Sequence, residues 1–285
     1  MSRLDALFNR YARDLLDEVP ERFLPLVVDD RKVGFVEEAV ARTLFLRCGA
    51  FYLEKKGLFV KPSVAPKEFK GIFAQAYGVL LQAGLAFRHD ELLDVVPDVY
   101  DKPFAVAPRG VFRALGLITT SVHVFATQAG RCVLTERSRA ARVMPGAFDC
   151  LASGLVGAAE QPRIAAVREA YEEAGVVPGS FELVPAVKFF TQRTVPEGLL
   201  RERVLGFDAV LSEDAVPACR DGSVEAFHAM DFAELEAALA ERPFMPEAAL
   251  CCVDALARTN GLDAGGGFFR HPMAATTWDA PARLA

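Results

Sequence analysis

Apolar residues recur at helical spacing from the start of the chain, where Leu4, Leu7, Phe8, Tyr11, Leu15 and Leu16 share one face; the run predicts a helix over 4–16 that Pro20 stops. The period then shortens. Residues 25–28 and 33–36 are β-prone runs around a polar stretch at 29–32, which predicts a hairpin, and 37–46 continues as a helix. Strand and turn are expected over 51–60, and a further helix over 66–82. Between 117 and 137, β-prone and polar residues alternate on either side of 128–130, a second hairpin. Strands over 181–190 and 203–211 follow, with a loop over 191–202 between them, and 245–262 closes the set as a helix capped by Gly261. The stretch from 263, with glycines at 265–267 and with Pro272 and Pro281, reads as a flexible tail. A boundary near 117 then gives a smaller N-terminal α+β domain (1–116), a second domain (117–262) and the C-terminal tail (263–285).

Between 154 and 176 the pattern carries chemistry. Pro162 suits a first helical turn, Ile164, Val167, Ala170 and Tyr171 form an apolar stripe, and Gly175 ends the helix expected over 163–174. On it Glu169, Glu172 and Glu173 stand at i, i+3 and i+4, crowding three negative charges onto one face. Crowding of this kind destabilises a helix unless a cation neutralises it, and hard divalent ions such as Mg²⁺ are held by a few carboxylates together with substrate phosphates. Arg168 is placed to pair with Glu160 across the preceding loop, and Gly154 lets a backbone carbonyl approach the same cation. The competing reading is a solvated acidic face with one Arg168–Glu172 pair. With each residue type at a few per cent of average usage, all seven fixed positions coincide by chance in on the order of one such chain per million.

Gly154, Glu160, Arg168, Glu169, Glu172, Glu173 and Gly175 resemble the Nudix box, with every fixed position present. The resemblance implies an α/β/α sandwich and Mg²⁺-dependent (or Mn²⁺-dependent) hydrolysis of a diphosphate linkage. It makes Glu169, Glu172 and Glu173 metal-binding carboxylates, one of them orienting the attacking water. Glu160 and Arg168 become a structural pair, and Gly154 a carbonyl ligand. Ser153 and Leu155 flank the box glycine where many members carry a second glycine. In order and spacing, RGVFRALGL, ERSRAARVMPGAFD, the box, PEGLLRERVLGFDAVL, DGSVEAF and FMPEAALCCVDALARTNGL are similar to a branch related to the Nudix portion associated with thiamine pyrophosphokinase. That branch has its own N-terminal domain, and the resemblance covers about 20–262. It implies thiamine diphosphate or its oxidised derivatives as substrate, cleaved to the monophosphate and phosphate. ADP-linked sugars or dinucleotides are the alternative substrates, and a non-catalytic ligand-binding module the alternative role. The branch carries Asn after the aspartate at 149, where this chain has Cys150.

Around the box, Arg137, Arg139 and Arg142 are candidates to clamp phosphates, against a reading as a solvated loop. Phe148, Phe189 and Phe190 are the phenylalanines nearest in sequence to wall a ring, and Glu225, at the start of a βα passage, is a candidate further metal ligand. Glu197 and Glu202 lie in the expected loop within reach of the same cluster. The N-terminal half is either a substrate-contacting module or a packing domain. Histidines 89, 123, 228 and 271 show no metal-ligand spacing, and His123 reads as a core or ladder residue.

A net charge of -6 argues against nucleic-acid or anionic-membrane partners, since neither finds an extended basic face. The expected partner is a small-molecule diphosphate, with a homodimer compatible with the sequence. No 18-residue apolar run is present, and the first helix carries charges that a signal peptide lacks. The six cysteines show neither CxxC spacing nor a paired framework and read as buried thiols of a cytoplasmic protein.

Overall fold

The structure is a computed structural model that describes residues 2–15, 17–98 and 101–261; Leu16 and the expected tail over 263–285 lie outside them. Helix α1, Arg3–Ala12, starts at Ser2, whose side chain accepts from the Asp5 amide while the Asp5 carboxylate takes the Ser2 amide. Strands β1 (Phe23–Val28) and β2 (Arg31–Glu37) form the first hairpin. Its turn is tighter than the polar stretch suggests. Only Asp29 and Asp30 lie outside the strands, both at positive φ (52° and 59°), as a two-residue turn matched to strand twist requires.

Helix α2 (Glu38–Arg47), strands β3 (Phe51–Glu54) and β4 (Gly57–Val60), and helix α3 (Phe69–Gln82) follow as expected. The strands make a four-stranded sheet ordered β2-β1-β4-β3. A ribbon of β5 (Leu92–Val95) and β6 (Ala105–Pro108) and the short helix α4 (Phe112–Leu115) complete this part. Leu26, Val36, Leu44, Phe51, Phe73, Leu80 and Phe112 share its core.

The second part holds β7 (Ile118–Gln128), β8 (Arg131–Arg137), β9 (Phe148–Asp149), β10 (Ala152–Leu155) and helix α5 (Pro162–Ala174). It continues with β11 (Leu183–Val195), β12 (Gly198–Leu211), β13 (Val224–Met230), α6 (Phe232–Glu241) and α7 (Pro246–Thr259). Its sheet is ordered β11-β12-β7-β8-β13, with β10 paired to β7 and β9 to β8. Strands β7 and β12 run parallel from Ile118↔Arg201 to Gln128↔Leu211. Alternation along β7 sets the layers: Val122, Val124 and Ala126 meet Ala165, Ala166, Ala170 and Ala174 of α5, while Phe125 faces the layer built by α6 and α7. The result is an α/β/α sandwich beside a smaller α+β unit.

Three expectations change. Helix α5 buries only part of the stripe read from its sequence: Ala170 is buried and Val167 packs against the same core, whereas Ile164 and Tyr171 are exposed, and the sheet takes the alanine face because small side chains let helix and strands approach closely. The loop expected over 191–202 is strand except for two residues. Thr191, Gln192, Arg193 and Thr194 pair with Glu202, Arg201, Leu200 and Leu199 in one long hairpin, and polar side chains on a strand lining a cleft imitate loop composition. Helix α1 packs away from the N-terminal unit. Leu4, Leu7, Phe8, Tyr11 and Leu15 join the α6–α7 layer, and the Tyr11 hydroxyl donates to the Leu239 carbonyl at 2.7 Å, so packing does not follow a division at 116/117 for the first helix.

Candidate active site

Helix α5 is bounded by Pro162 in its first turn and by Gly175 at φ 66°, whose amide donates to the carbonyls of Ala170 and Tyr171. Glu169 and Glu173 face inward and Glu172 stands half-exposed beside them. Arg168 ties the helix to the loop that precedes it. Its Nε and Nη2 hold both oxygens of Glu160 at 2.9 and 3.0 Å, Nη1 reaches Glu169 at 2.6 Å and Glu172 at 3.2 Å, and Nη2 also donates to the Leu155 carbonyl at 3.0 Å. Glu160 accepts the Gly157 amide at 2.8 Å as well. Burial pushes the Glu160 carboxyl up, but the Arg168 and Gly157 bonds outweigh it and hold it below the ordinary value. The Arg168–Glu160 pairing thus has a physical origin in the site itself.

The inward glutamates behave oppositely. Burial raises Glu169 to about 7, with Arg168 pulling down against the repulsion of Glu172 and Glu160. Burial raises Glu173 to about 8, helped by the Asp149, Glu169 and Asp221 charges and opposed by the Ser153 amide, which donates to its Oε2 at 2.8 Å. Strand β10 passes close under both. A Cβ at Gly154 would stand 2.1 Å from the Glu169 carboxyl carbon, so only glycine lets this carboxylate lie against the strand backbone.

These groups line a cavity of about 450 Å³ with His123, Asp149, Arg137, Glu202 and Glu247. Glu202 accepts from the hydroxyls of Ser121 at 2.8 Å and Thr119 at 3.2 Å, and burial followed by the Glu247 charge raises its pKa. A second cavity, about 490 Å³, adjoins the first and shares Arg109, Arg113, Arg137, Leu155, Leu200 and Glu202 with it. Its wall adds Phe87, Arg142 and Arg201. The Phe87 ring lies beneath both Arg113 and Arg142, 5.7 and 5.2 Å from its centroid, and these two arginines share the Glu197 carboxylate at 3.3 and 3.2 Å. Burial lowers Arg201 to about 10, and it lies over the rings of Phe35 and Phe190.

The sequence-derived candidates divide accordingly. Glu169, Glu172, Glu173, Arg168 and Gly154 meet in the first cavity, with Glu160 behind Arg168. Arg137 and Arg142 face the cleft, whereas Arg139 is exposed and lines neither cavity. Phe148 is 2% exposed, packed edge-on to His228 and against Phe244, so it is core and not a substrate wall. Phe189 is likewise buried. Glu225 is exposed on β13, with its carboxylate 3.5 Å from the Arg139 amide, and does not join the carboxylate cavity; Glu202 does. Glu197, at the tip of the β11–β12 hairpin, engages arginines and not the carboxylates. Phe87, Arg109 and Arg113 were not found from the sequence. They precede residue 117, and only the RGVFRALGL run hinted that this part enters the site.

Residues 117–248 match the NUDIX domain family. An uncharacterized Nudix hydrolase of Streptomyces coelicolor is 40% identical over 93 residues, 32% of this chain and 51% of the relative. An uncharacterized protein of Saccharomyces cerevisiae is 27% identical over 179 residues, 56% of this chain and 52% of the relative. The chain spans about half the length of these curated relatives. Among solved structures, DR0079 of Deinococcus radiodurans aligns with a TM-score of 0.45 at 21% identity, over 57% of this chain and 97% of that one. The NUDIX domain of Shewanella oneidensis NrtR, complexed with ADP ribose, aligns with a TM-score of 0.38 at 17% identity, over 50% and 88%.

Proposed function

Residues 117–248 of this chain belong to the Nudix family, and on that premise we propose that the protein is a diphosphate hydrolase working with a divalent cation. The observation that carries the reading is the continuity of the cleft, with carboxylates whose ionisation the fold opposes at one end and arginines around an aromatic ring at the other. The donor set fits a hard cation: Glu169 and Glu173 are oxygen donors raised by burial, and Gly154 keeps the strand backbone open against them. Glu169, Glu172, Glu173 and the Gly154 carbonyl would hold Mg²⁺ (or Mn²⁺). When bound, such an ion polarises a phosphoryl oxygen and lowers the pKa of water.

The remaining work falls to the chain's own side chains. Arg168 fixes Glu169 and Glu172 in place through the Glu160 anchor. Arg137, common to both cavities, binds the non-reacting phosphate with a charge-assisted hydrogen bond. Glu202, with a raised pKa and its carboxylate oriented by Ser121 and Thr119, accepts the proton of the attacking water. Phe87, Arg113 and Arg142 receive the organic group, which gives the residues before 117 a substrate-contacting role.

For the substrate, the outer-motif similarity puts thiamine diphosphates first. The arginines at the ring end disfavour a cationic thiazolium and suit an oxidised, uncharged ring. Full-length protein assayed with Mg²⁺ on a panel of diphosphates is expected to show its highest kcat/KM on an oxidised thiamine diphosphate, releasing the monophosphate and phosphate. A preference of tenfold or more, about 1.4 kcal/mol of transition-state discrimination, for ADP-ribose, NADH or a nucleoside triphosphate overturns the thiamine assignment. Loss of no activity in excess chelator overturns the cation requirement.

A further inference from the structure

A second constellation lies on the opposite face of β7 from α5 and is made of soft donors. A ring nitrogen of His123 and the Sγ atoms of Cys150 and Cys251 all lie within 4.8 Å of one another, and all three residues are buried. They come from three elements: His123 from β7, Cys150 from the bend between β9 and β10, and Cys251 from α7. No sequence spacing announces such a set. Cys252, the next residue on α7, adds a third sulfur.

The second observation is an orphaned donor. His123 is 5% exposed, yet its Nδ1 has no hydrogen-bond partner among the described residues; the Asp149 Oδ1 stands off at 3.9 Å. Leaving a buried imidazole nitrogen unpaired costs about 1–3 kcal/mol. A metal ion bonded at that nitrogen would remove the penalty.

From this geometry we infer that His123, Cys150 and Cys251 form a zinc-binding site distinct from the glutamate cluster, with Cys252 beside it as a further donor. Thiolate and imidazole ligands select soft or borderline cations, while Mg²⁺ prefers the oxygens of Glu169, Glu172 and Glu173. Charge favours Zn²⁺ over Cu⁺: two thiolates carry -2, which a divalent ion offsets, whereas a monovalent ion leaves a net negative charge buried beside the Asp149 carboxylate. His123 lines the carboxylate cavity, which provides an entry path from solvent.

The site would also brace the catalytic cleft. Asp149 takes the Cys150 amide at 2.8 Å and the Ser153 hydroxyl at 3.2 Å, and the Ser153 amide holds Glu173. Fixing Cys150 to α7 therefore fixes the bend from which Ser153 reaches Glu173. The inference does not rest on the hydrolase reading, because its test reads the metal directly.

The test uses the full chain, reduced and stripped of metal, then titrated with Co²⁺ in excess Mg²⁺ so that the oxygen site is occupied. One equivalent is expected to give thiolate-to-cobalt charge-transfer absorption that Zn²⁺ abolishes. Cys150→Ser and Cys251→Ser should each lose the band, while Cys48→Ser, in the N-terminal core, should keep it. A second measurement needs no variant: alkylation of Cys150 and Cys251 in the wild type, followed by peptide mass spectrometry, should slow at least about 10-fold once Zn²⁺ exceeds its Kd by that factor. Chelator should reverse the protection. Absence of the band in the wild type, or its survival in both serine variants, overturns the inference. So does protection that yields to reductant and not to chelator, which would make the pair a disulfide. Cu⁺ displacing Zn²⁺ at equal concentration in a bathocuproine competition overturns the charge argument.

Discussion

Glu173→Gln separates the two roles of the acidic cluster, because it should raise stability while removing activity. Glu173 is half-buried on α5, where desolvation and then the Asp149 charge raise its pKa from 4.5 to about 8. The folded protein therefore binds this proton more tightly than the unfolded chain. Metal-free stability is full below pH 4.5 and falls as pH rises through about 8. At 1.36 kcal/mol per decade the shift corresponds to a loss of a little over about 4 kcal/mol by pH 8, which solvent screening of a half-buried side chain reduces to about 2–4 kcal/mol. Glutamine keeps an acceptor for the Ser153 amide and carries no charge, so in chelator at pH 8 the variant should melt roughly 5–10 °C above wild type. At pH 5 the gap should close. Mg²⁺ should raise the wild-type melting temperature at pH 8 and leave the variant nearly unmoved, and hydrolysis by the variant should fall by about two orders of magnitude or more. Calorimetry in chelator at both pH values checks this. A variant melting at or below wild type at pH 8, or a gap equally large at pH 5, would refute the assignment of a strained, half-buried carboxylate.

Other perturbations address other parts of the site. Arg168→Ala leaves Glu160 and Glu169 without their cation and should cost about 2–3 kcal/mol, discounted from a fully buried pair because Arg168 is partly solvated; urea denaturation measures it, and an unchanged midpoint would show the pairing absent in solution. Gly154→Ala must displace Glu169, and a shift near 1 Å should lower kcat about 100-fold with little change in fold, read by steady-state kinetics beside circular dichroism. Arg113→Ala should raise KM at least about 10-fold on a preferred diphosphate, a loss of roughly 1.4 kcal/mol, whereas Arg139→Ala should leave KM within twofold; reversed effects would move the clamp. Phe148→Leu should lower stability by about 1–3 kcal/mol and leave KM unchanged, since the ring packs on Phe244 and His228 and does not meet the cleft.

What the sequence made legible was local. The glutamates of α5, the Arg168–Glu160 tie and the hairpin at Asp29 and Asp30 depend on residues within a few turns of one another, and spacing alone encodes them. The face that α5 buries was misread because alanines carry little hydropathic weight, although their size lets the helix approach the sheet. Strand residues 191–195 and 198–202 were misread because their polar side chains meet partners far along the chain, as Arg193 meets Glu247. Sequence proximity to the box favours Phe148 as the aromatic wall, whereas the ring that lines the cleft, Phe87, arrives from the other part of the molecule. The soft-donor cluster was invisible for the same reason: His123, Cys150 and Cys251 share no element.

The seat of α1 has a consequence for how the chain is made. Its Tyr11 hydroxyl bonds a carbonyl 228 positions later, and its apolar face is complete only against α6 and α7. During synthesis from the N-terminus, the β1–β4 sheet and α3 can close their own core first, because those contacts are local. At about 5–20 residues per second, α1 then waits on the order of ten seconds or more for its partners to emerge. Five buried apolar side chains worth about 1.5–3 kcal/mol each stay uncovered over that interval, so a helix made before the β1–β4 sheet docks only after α6 and α7 have followed it.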